Sequence, residues 1–161
     1  MSATLIPVSP PAVVLAAVQA AVEQTYTRFC GDKPTVESEM QADHDCECVA
    51  GIISFFGDAA ISLAWVLDAA VAPVLAQKFA RFPIPFDSSE MGDVTGELVN
   101  VIAGDVVAYL EARKFHVKMS LPTVARGARL RLMPDKGVSV SHVNYATRAG
   151  KFWLRLAAQV D

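Results

Sequence analysis

One helical segment of the sequence carries a polar stripe on an otherwise apolar surface. Four residues between positions 91 and 104 fall within about 60° of one another when each residue turns the helix by about 100°: Asp93, Glu97, Asn100 and Gly104. The opposite side is apolar and consists of Leu98, Val99, Ile102, Val106, Tyr109 and Leu110. Glu97 and Asn100 are three residues apart, so their carboxylate and amide are neighbours and can act on one object. Gly104 lowers helix propensity by about 1 kcal/mol relative to Ala, which needs a compensating reason such as the close approach of a partner.

The spacing of these residues resembles a known family motif. It reads Asp93, three residues, Glu97, two residues, Asn100 and, after twenty-one further residues, Pro122. At these positions the sequence resembles the CheC/CheX-type chemotaxis phosphatases, and the segment 120–127 resembles the stretch that follows the motif helix in the CheX branch. CheC-type members carry a Glu and Asn pair on both long helices, whereas the first long helix predicted here contains a Glu but no Asn. The resemblance is therefore closest to the CheX branch.

The resemblance implies a function and a role for each motif residue. The substrate is then the aspartyl phosphate of a CheY-like response-regulator receiver, whose hydrolysis this chain accelerates. Such a phosphoryl group is already activated, so positioning and charge stabilisation carry most of the catalysis. Asn100 would hold the attacking water in line with the leaving carboxylate, and Glu97 would pair with a lysine of the receiver. Asp93, Gly104 and Pro122 would contact the partner. The chain would need no cofactor of its own, because the receiver supplies Mg²⁺.

Two other interpretations stay open. Glu and Asn on an exposed helix face are usually only solvated; Asp93 is also a favourable charge near a helix N-terminus, and Pro122 can simply set a turn or a strand edge. A domain of this fold could also be a catalytically silent binding module for a response regulator or a flagellar-switch-like partner. The presence of both Glu97 and Asn100 favours the phosphatase, since a silent relative would be free to lose either residue.

Length and composition are typical of one globular domain that spans residues 1–161. The 161 residues are 53% hydrophobic and 19% charged. This composition is apolar for a soluble monomer and favours a homodimer. The formal net charge is −3, and no aromatic residues are interleaved with a basic stripe, which argues against nucleic acid as a partner.

The N-terminal apolar run 12–22 is predicted to be neither a signal peptide nor a membrane span. No Lys or Arg precedes Arg28, and the run is too short to cross a bilayer. Ser9, Pro10 and Pro11 instead predict a helix start, with Ser9 as the cap and Pro at the first helical position. The three cysteines, an odd number, favour a reducing compartment. We therefore expect a cytoplasmic protein.

The segment around His44, Cys46 and Cys48 is the other candidate for chemistry. On a strand these side chains would share one face and offer three soft metal ligands. Their spacing would spread the ligands over about 13 Å, no fourth ligand is evident, and buried free cysteine is common in protein cores. We therefore predict no metal site. His116 and His142 lie in predicted strands without a Ser or Cys partner motif, so a hydrolytic triad is unsupported.

The order of helical and strand patterns predicts an α+β fold. Helices are predicted over 11–29, over 68–80 and from Ser88 or Ser89 to about Lys114, and strands over 35–42, 46–56, 59–67, 115–120, 127–133, 137–147 and 150–159. A long helix followed by several strands occurs twice, in half-repeats of about 11–67 and 87–159. We expect two long helices packed on one face of an antiparallel sheet, as a pseudo-two-fold helix-then-strands repeat.

Overall fold

Three helices and seven strands form the described part of the chain, residues 11–41, 44–133 and 137–159 of a computed structural model. The helices are α1 (Ala12–Cys30), α2 (Val71–Ala80) and α3 (Ser89–Glu111). The strands are β1 (Thr35–Ser38), β2 (Glu47–Gly57), β3 (Ile61–Asp68), β4 (Val117–Met119), β5 (Thr123–Ala128), β6 (Val138–Ala146) and β7 (Lys151–Gln159). Over these ranges, no helix combines the length and the hydropathy that crossing a membrane requires.

All seven strands join one antiparallel sheet in the order β1-β6-β7-β3-β2-β4, and β5 also pairs with β2. The long strand β2 accommodates two partners on one side because β5 pairs with its residues 47–52 and β4 with its residues 55–57. The connection between β4 and β5 therefore turns beside the middle of β2. The antiparallel sheet predicted from the sequence is confirmed.

The helices pack on one face of this sheet. Alternate residues of the central strands point toward the helices and are buried there, among them Ile53 in β2 and Leu63 in β3. The apolar sides of the long helices fill the same core, for example with Val18 from α1 and Ile102 from α3. The predicted layer of two long helices on one sheet face is confirmed, and the shorter α2 packs against both of them.

Helix α1 begins one residue later than predicted. Pro11 occupies the N-cap position rather than the first helical position, and its carbonyl oxygen accepts hydrogen bonds from the amides of Val14 (2.9 Å) and Leu15 (3.1 Å). The predicted cap, Ser9, lies outside the described residues. The predicted stop is confirmed, because Gly31 adopts φ 81° and its amide donates to a carbonyl oxygen of the last turn.

One predicted strand lies elsewhere in the structure. The strand predicted over 127–133 is wrong, because the residues that pair with β2 are 123–128, directly after Pro122. Leu130 and Leu132 alternate like strand residues, yet they pack against the sheet face opposite the helices. An alternation of apolar residues therefore does not distinguish a strand that pairs in the sheet from a segment that packs on the face of the sheet.

Close contact between α3 and β2 depends on Gly51. A Cβ atom at this position would lie 3.0 Å from Cβ of Val99 and 3.3 Å from the carbonyl oxygen of Thr95. Because both groups belong to α3, a side chain here would push the helix away from the sheet. Gly51 thus sets the distance at which α3 rests on β2.

We predict that Gly51→Ala destabilises the protein by about 1–3 kcal/mol, the usual cost of overpacking a well-packed core. The measurement is the urea midpoint of unfolding, with Gly92→Ala as the matched control. Gly92 also lies on α3, but no atom outside the adjacent helix backbone comes within 4 Å of its Cβ position, so this control should keep or slightly raise the midpoint. Equal midpoints for Gly51→Ala and the unsubstituted chain would show that α3 does not depend on this glycine.

Candidate functional site

Helix α3 presents the predicted polar stripe to solvent. Asp93, Glu97 and Gly104 are exposed, and Asn100 is half-buried. The other side of α3 is buried in the core through residues that include Leu98, Val99, Ile102, Val106 and Leu110. At a rise of about 1.5 Å per residue, Glu97 and Asn100 are about 4.5 Å apart along the helix axis. One small group can therefore reach both side chains.

The motif side chains have no polar partner within the described chain. Asp93 and Glu97 make no ion pair or hydrogen bond there, and neither does the Asn100 amide. The Oδ1 atom of Asn100 is buried without a donor, an arrangement that costs about 1–3 kcal/mol. An unpaired buried polar atom needs an explanation in a folded protein, and a site completed by another molecule is one.

The start of α3 is tied to β5 by a residue that sequence reasoning missed. The guanidinium of Arg126 donates hydrogen bonds to the carbonyl oxygens of Phe86 (2.9 Å) and Ser88 (2.6 Å). Ser88, one of the two predicted caps, occupies the N-cap position, but its hydroxyl donates to the carbonyl oxygen of Pro85 (2.7 Å) and caps no helix amide. Two charge-assisted hydrogen bonds from Arg126 therefore hold the entry to the motif helix.

The connection between β4 and β5 lies beside the motif helix. A Cβ atom on Gly96 would lie 3.6 Å from Cγ2 of Val124 and 3.8 Å from Cγ of Pro122, so this part of the chain runs close along α3. Gly96 is one turn before Asn100 on the same side of the helix. The structure thus brings Pro122 next to the polar stripe, although it is far away in sequence.

Hydrogen bonds to β2 fix this connection. The amide of Ser120 donates to the carbonyl oxygen of Ser54 (2.9 Å), and the amide of Ser54 donates to Oγ of Ser120 (3.0 Å). Between Ser120 and Pro122, Leu121 is 87% exposed. A large apolar side chain presented to water beside the stripe can contact a partner. A lone Leu in a loop carries no such signal in the sequence, because single exposed apolar residues are common.

Gly104 faces open space. Apart from its chain neighbours and the adjacent backbone of α3, no atom of the described chain lies within 4 Å of the position that its Cβ would occupy. Packing within the described chain therefore does not explain this glycine, and the close approach of a partner stays a prediction.

Helix α1 carries no second stripe. Glu23 accepts a hydrogen bond from the hydroxyl of Tyr145 (3.2 Å), and burial together with the Glu23 carboxylate raises the pKa of Tyr145. Three residues after Glu23, where a second motif would need Asn, lies Tyr26. Tyr26 is buried, and this burial raises its pKa to about 12. Glu23 therefore has a structural role in this chain.

The cysteine segment does not form the strand face considered from the sequence, because β2 begins only at Glu47. Cys46 is exposed and Cys48 is buried, while the His44 ring stacks on Trp153 with the ring centroids 3.6 Å apart. Burial raises the pKa of the Cys48 thiol to about 11, which disfavours the thiolate that a metal would bind. Among the residues with described positions, no group of three or more His, Cys, Asp or Glu side chains could hold a metal ion.

A protein-family comparison identifies the family. Residues 49–145 match the family model described as chemotaxis phosphatase CheX. This range is more than half of the chain and contains the whole of α3 and Pro122. The chain belongs to the CheX family. Curated proteins gave no match in sequence.

Solved structures of CheX and CheC-like proteins share the fold. A CheC-like superfamily protein from Shewanella sp. PV-4 superposes with a TM-score of 0.83 at 14% identity, over 94% of this chain and 100% of that one. CheX from Vibrio vulnificus superposes with a TM-score of 0.81 at 17% identity, over 92% of this chain and 100% of that one. A chain of the CheX-CheY-BeF3-Mg²⁺ complex from Borrelia burgdorferi superposes with a TM-score of 0.71 at 19% identity, over 90% of this chain and 96% of that one. The resemblance found in the sequence is confirmed for the family and the fold.

Proposed function

We propose that this CheX-family chain accelerates hydrolysis of the aspartyl phosphate of a CheY-like receiver domain, with Glu97 and Asn100 of α3 as its site. The observation that carries the proposal is the Asn100 amide, which is half-buried, unpartnered and one helical turn from an unpartnered carboxylate. A protein that inserts such a pair into a partner's active site needs no cofactor of its own. The divalent cation belongs to the receiver.

Asn100 has the chemistry to orient the attacking water. Its amide carries an acceptor oxygen and two donor hydrogens, so it can hold one water molecule in a fixed direction. That water attacks phosphorus while the bond between phosphorus and the aspartyl oxygen breaks. The atoms of the water leave in inorganic phosphate, and the receiver regains a free carboxylate. Because the phosphoryl group is already activated, alignment of the water is the step that a helper protein can accelerate.

Glu97 is assigned to binding rather than to proton transfer. It is exposed on a face that also carries Asp93, and no cation of the described chain pairs with it. An acidic face of this kind is complementary to a cationic partner group, here a lysine of the receiver. A carboxylate that engages an ammonium has its pKa lowered, which makes it a poor general base.

The docking surface extends from the stripe to the connection between β4 and β5. Gly104 lets a partner come close to the helix, while Pro122 and Leu121 offer apolar contact beside Glu97 and Asn100. The relative from Borrelia burgdorferi whose structure includes CheY supports a receiver as the partner. The homodimer predicted from the composition stays a prediction.

We predict that Asn100→Ala slows dephosphorylation of the receiver by about two orders of magnitude or more, the scale expected when one positioning contact is lost. Folding should be kept or slightly stabilised, because Ala favours the helix and the change removes the buried, unpaired Oδ1. The measurement is single-turnover decay of the phosphorylated receiver at saturating protein, where weak binding cannot appear as slow chemistry.

Gln24→Ala is the matched control, because Gln24 is an exposed amide on α1. It should leave the decay rate unchanged. Asn100→Asp should fail as Asn100→Ala does, since it places a negative charge near the phosphoryl oxygens. If Asn100→Ala kept the full rate, only the alternative would stand: a silent module that binds a response regulator or a flagellar-switch-like protein.

We predict that Glu97→Gln weakens binding to a receiver loaded with beryllofluoride and Mg²⁺ by on the order of 2 to 5 kcal/mol, because it leaves the partner's ammonium without its counter-charge. Calorimetry at two salt concentrations measures this loss, and the salt dependence of the affinity should fall as well. Glu111→Gln, at the far end of α3, removes the same charge and serves as the control. Unchanged affinity for Glu97→Gln would identify Glu97 as solvated surface.

We predict that Leu121→Ser and Gly104→Ala each weaken receiver binding without lowering the unfolding midpoint. Leu121 is almost fully exposed, and the Cβ position of Gly104 is empty, so neither change disturbs the fold. Met133→Ser is the matched control, because Met133 is 86% exposed but far from the stripe in the fold. Full affinity in both variants would show that the receiver docks elsewhere.

A further inference from the structure

A cavity of about 170 Å³ lies on the sheet face opposite the helices. Its floor includes Arg155 and His142, which face each other on β7 and β6. Leu130 and Leu132, in the segment after β5, line another side and pack on the same sheet face. The motif helix lies on the other side of the sheet, so this cavity is separate from the site proposed above.

Two groups on the cavity floor, the Arg155 guanidinium and the His142 imidazole, have no hydrogen-bond or ion-pair partner within the described chain. Arg155 makes no ion pair or hydrogen bond there, although it is half-buried in a central strand between Ala64 and His142. His142 likewise makes no hydrogen bond. A guanidinium has five donors, and removing it from water without an acceptor is costly. An arginine in this position is typical of a site for an anion.

The described residues that line the cavity include no Asp or Glu. Arg131, at its rim, pairs with Asp45 (3.5 Å), whose carboxylate is exposed outside the cavity. Burial lowers the pKa of Arg155, and burial with the nearby charge of Arg155 lowers the pKa of His142. Burial therefore disfavours the charged form of both groups in the free protein.

The rest of the lining is mostly apolar and aromatic, with Gln41 and Arg131 as its further polar side chains. The indole of Trp153 lines the cavity, and the His44 ring stacks on it at an interplanar angle of 11°. The Nε2 atom of His44 lies 3.2 Å from Oδ1 of Asn144, which fixes the stacked ring. A cavity of roughly 150 Å³ accepts one benzene ring, so this volume suits a single ring with a small charged group.

The geometry points to a binding site for a small aromatic carboxylate, held by Arg155 through its carboxylate and by Trp153 and the Leu130–Leu132 segment through its ring. Arginine matches a carboxylate in a bidentate manner, and no carboxylate of the described chain pairs with Arg155. The proposal is independent of the receiver phosphatase function.

Isothermal titration calorimetry with benzoate tests it, with benzamide and benzamidine as the neutral and cationic analogues and acetate as the carboxylate without a ring. We expect saturable benzoate binding on the order of 1 mM or tighter, and weak or no binding of the other three. Arg155→Gln should weaken benzoate binding by about tenfold or more, the loss expected for a charge-assisted hydrogen bond. Arg148→Gln, which removes an exposed guanidinium at the turn between β6 and β7, should leave it unchanged.

A second measurement on the unsubstituted protein keeps the test decisive if Arg155→Gln does not fold. Benzoate should shift the indole NMR signal of Trp153 and the ring signals of His142, but not the indole of Trp65, which is buried on the helix side of the sheet. Benzamide or benzamidine binding as tightly as benzoate would overturn the proposal. So would shifts at Trp65 alone, or the absence of benzoate binding at millimolar concentrations.

Discussion

The close packing of α3 on β2 is the constraint on which the fold and the candidate site both depend. Gly51 lets the helix backbone come near the strand, and Val99 and Thr95 occupy the space that a side chain would take. The same strand pairs with β3, β4 and β5, so it connects the helix to most of the sheet. The polar stripe is therefore oriented by backbone packing, while its own side chains stay available to a second molecule. Preorganisation of this kind is what a catalyst that works by positioning requires.

The parts of the fold that follow from local patterns were predictable. The 3.6-residue period of α3, with Leu98 and Ile102 on one side and Glu97 on the other, determines which side is buried whatever the helix packs against. The strand predicted over 127–133 failed because Leu130 and Leu132 have the same alternation whether they pair in a sheet or lie across it. Only the register of β5 on β2 distinguishes the two arrangements, and that register depends on residues distant in sequence.

The candidate site likewise contains residues that could be named from the sequence and residues that could not. Asp93, Glu97, Asn100 and Pro122 could be named from the resemblance to the family motif, and the structure places Pro122 beside the stripe. Arg126 and Leu121 could not be named, because their roles depend on neighbours contributed by other elements. Arg126 reaches carbonyl oxygens about forty residues earlier in the chain, and Leu121 follows Ser120, whose hydrogen bonds fix it to Ser54 of β2. Functional side chains are easier to identify from a sequence than the residues that hold them in position.

The hydrogen bond between Glu23 and Tyr145 has a consequence for the stoichiometry of the proposed reaction. It occupies the carboxylate of α1, and the aromatic ring of Tyr26 fills the core where a second amide would have to be exposed. Under the proposed function each chain therefore offers one α3 surface, and one receiver docks per chain. The number of receivers that can be engaged at once is then equal to the number of chains, whether or not the chains pair.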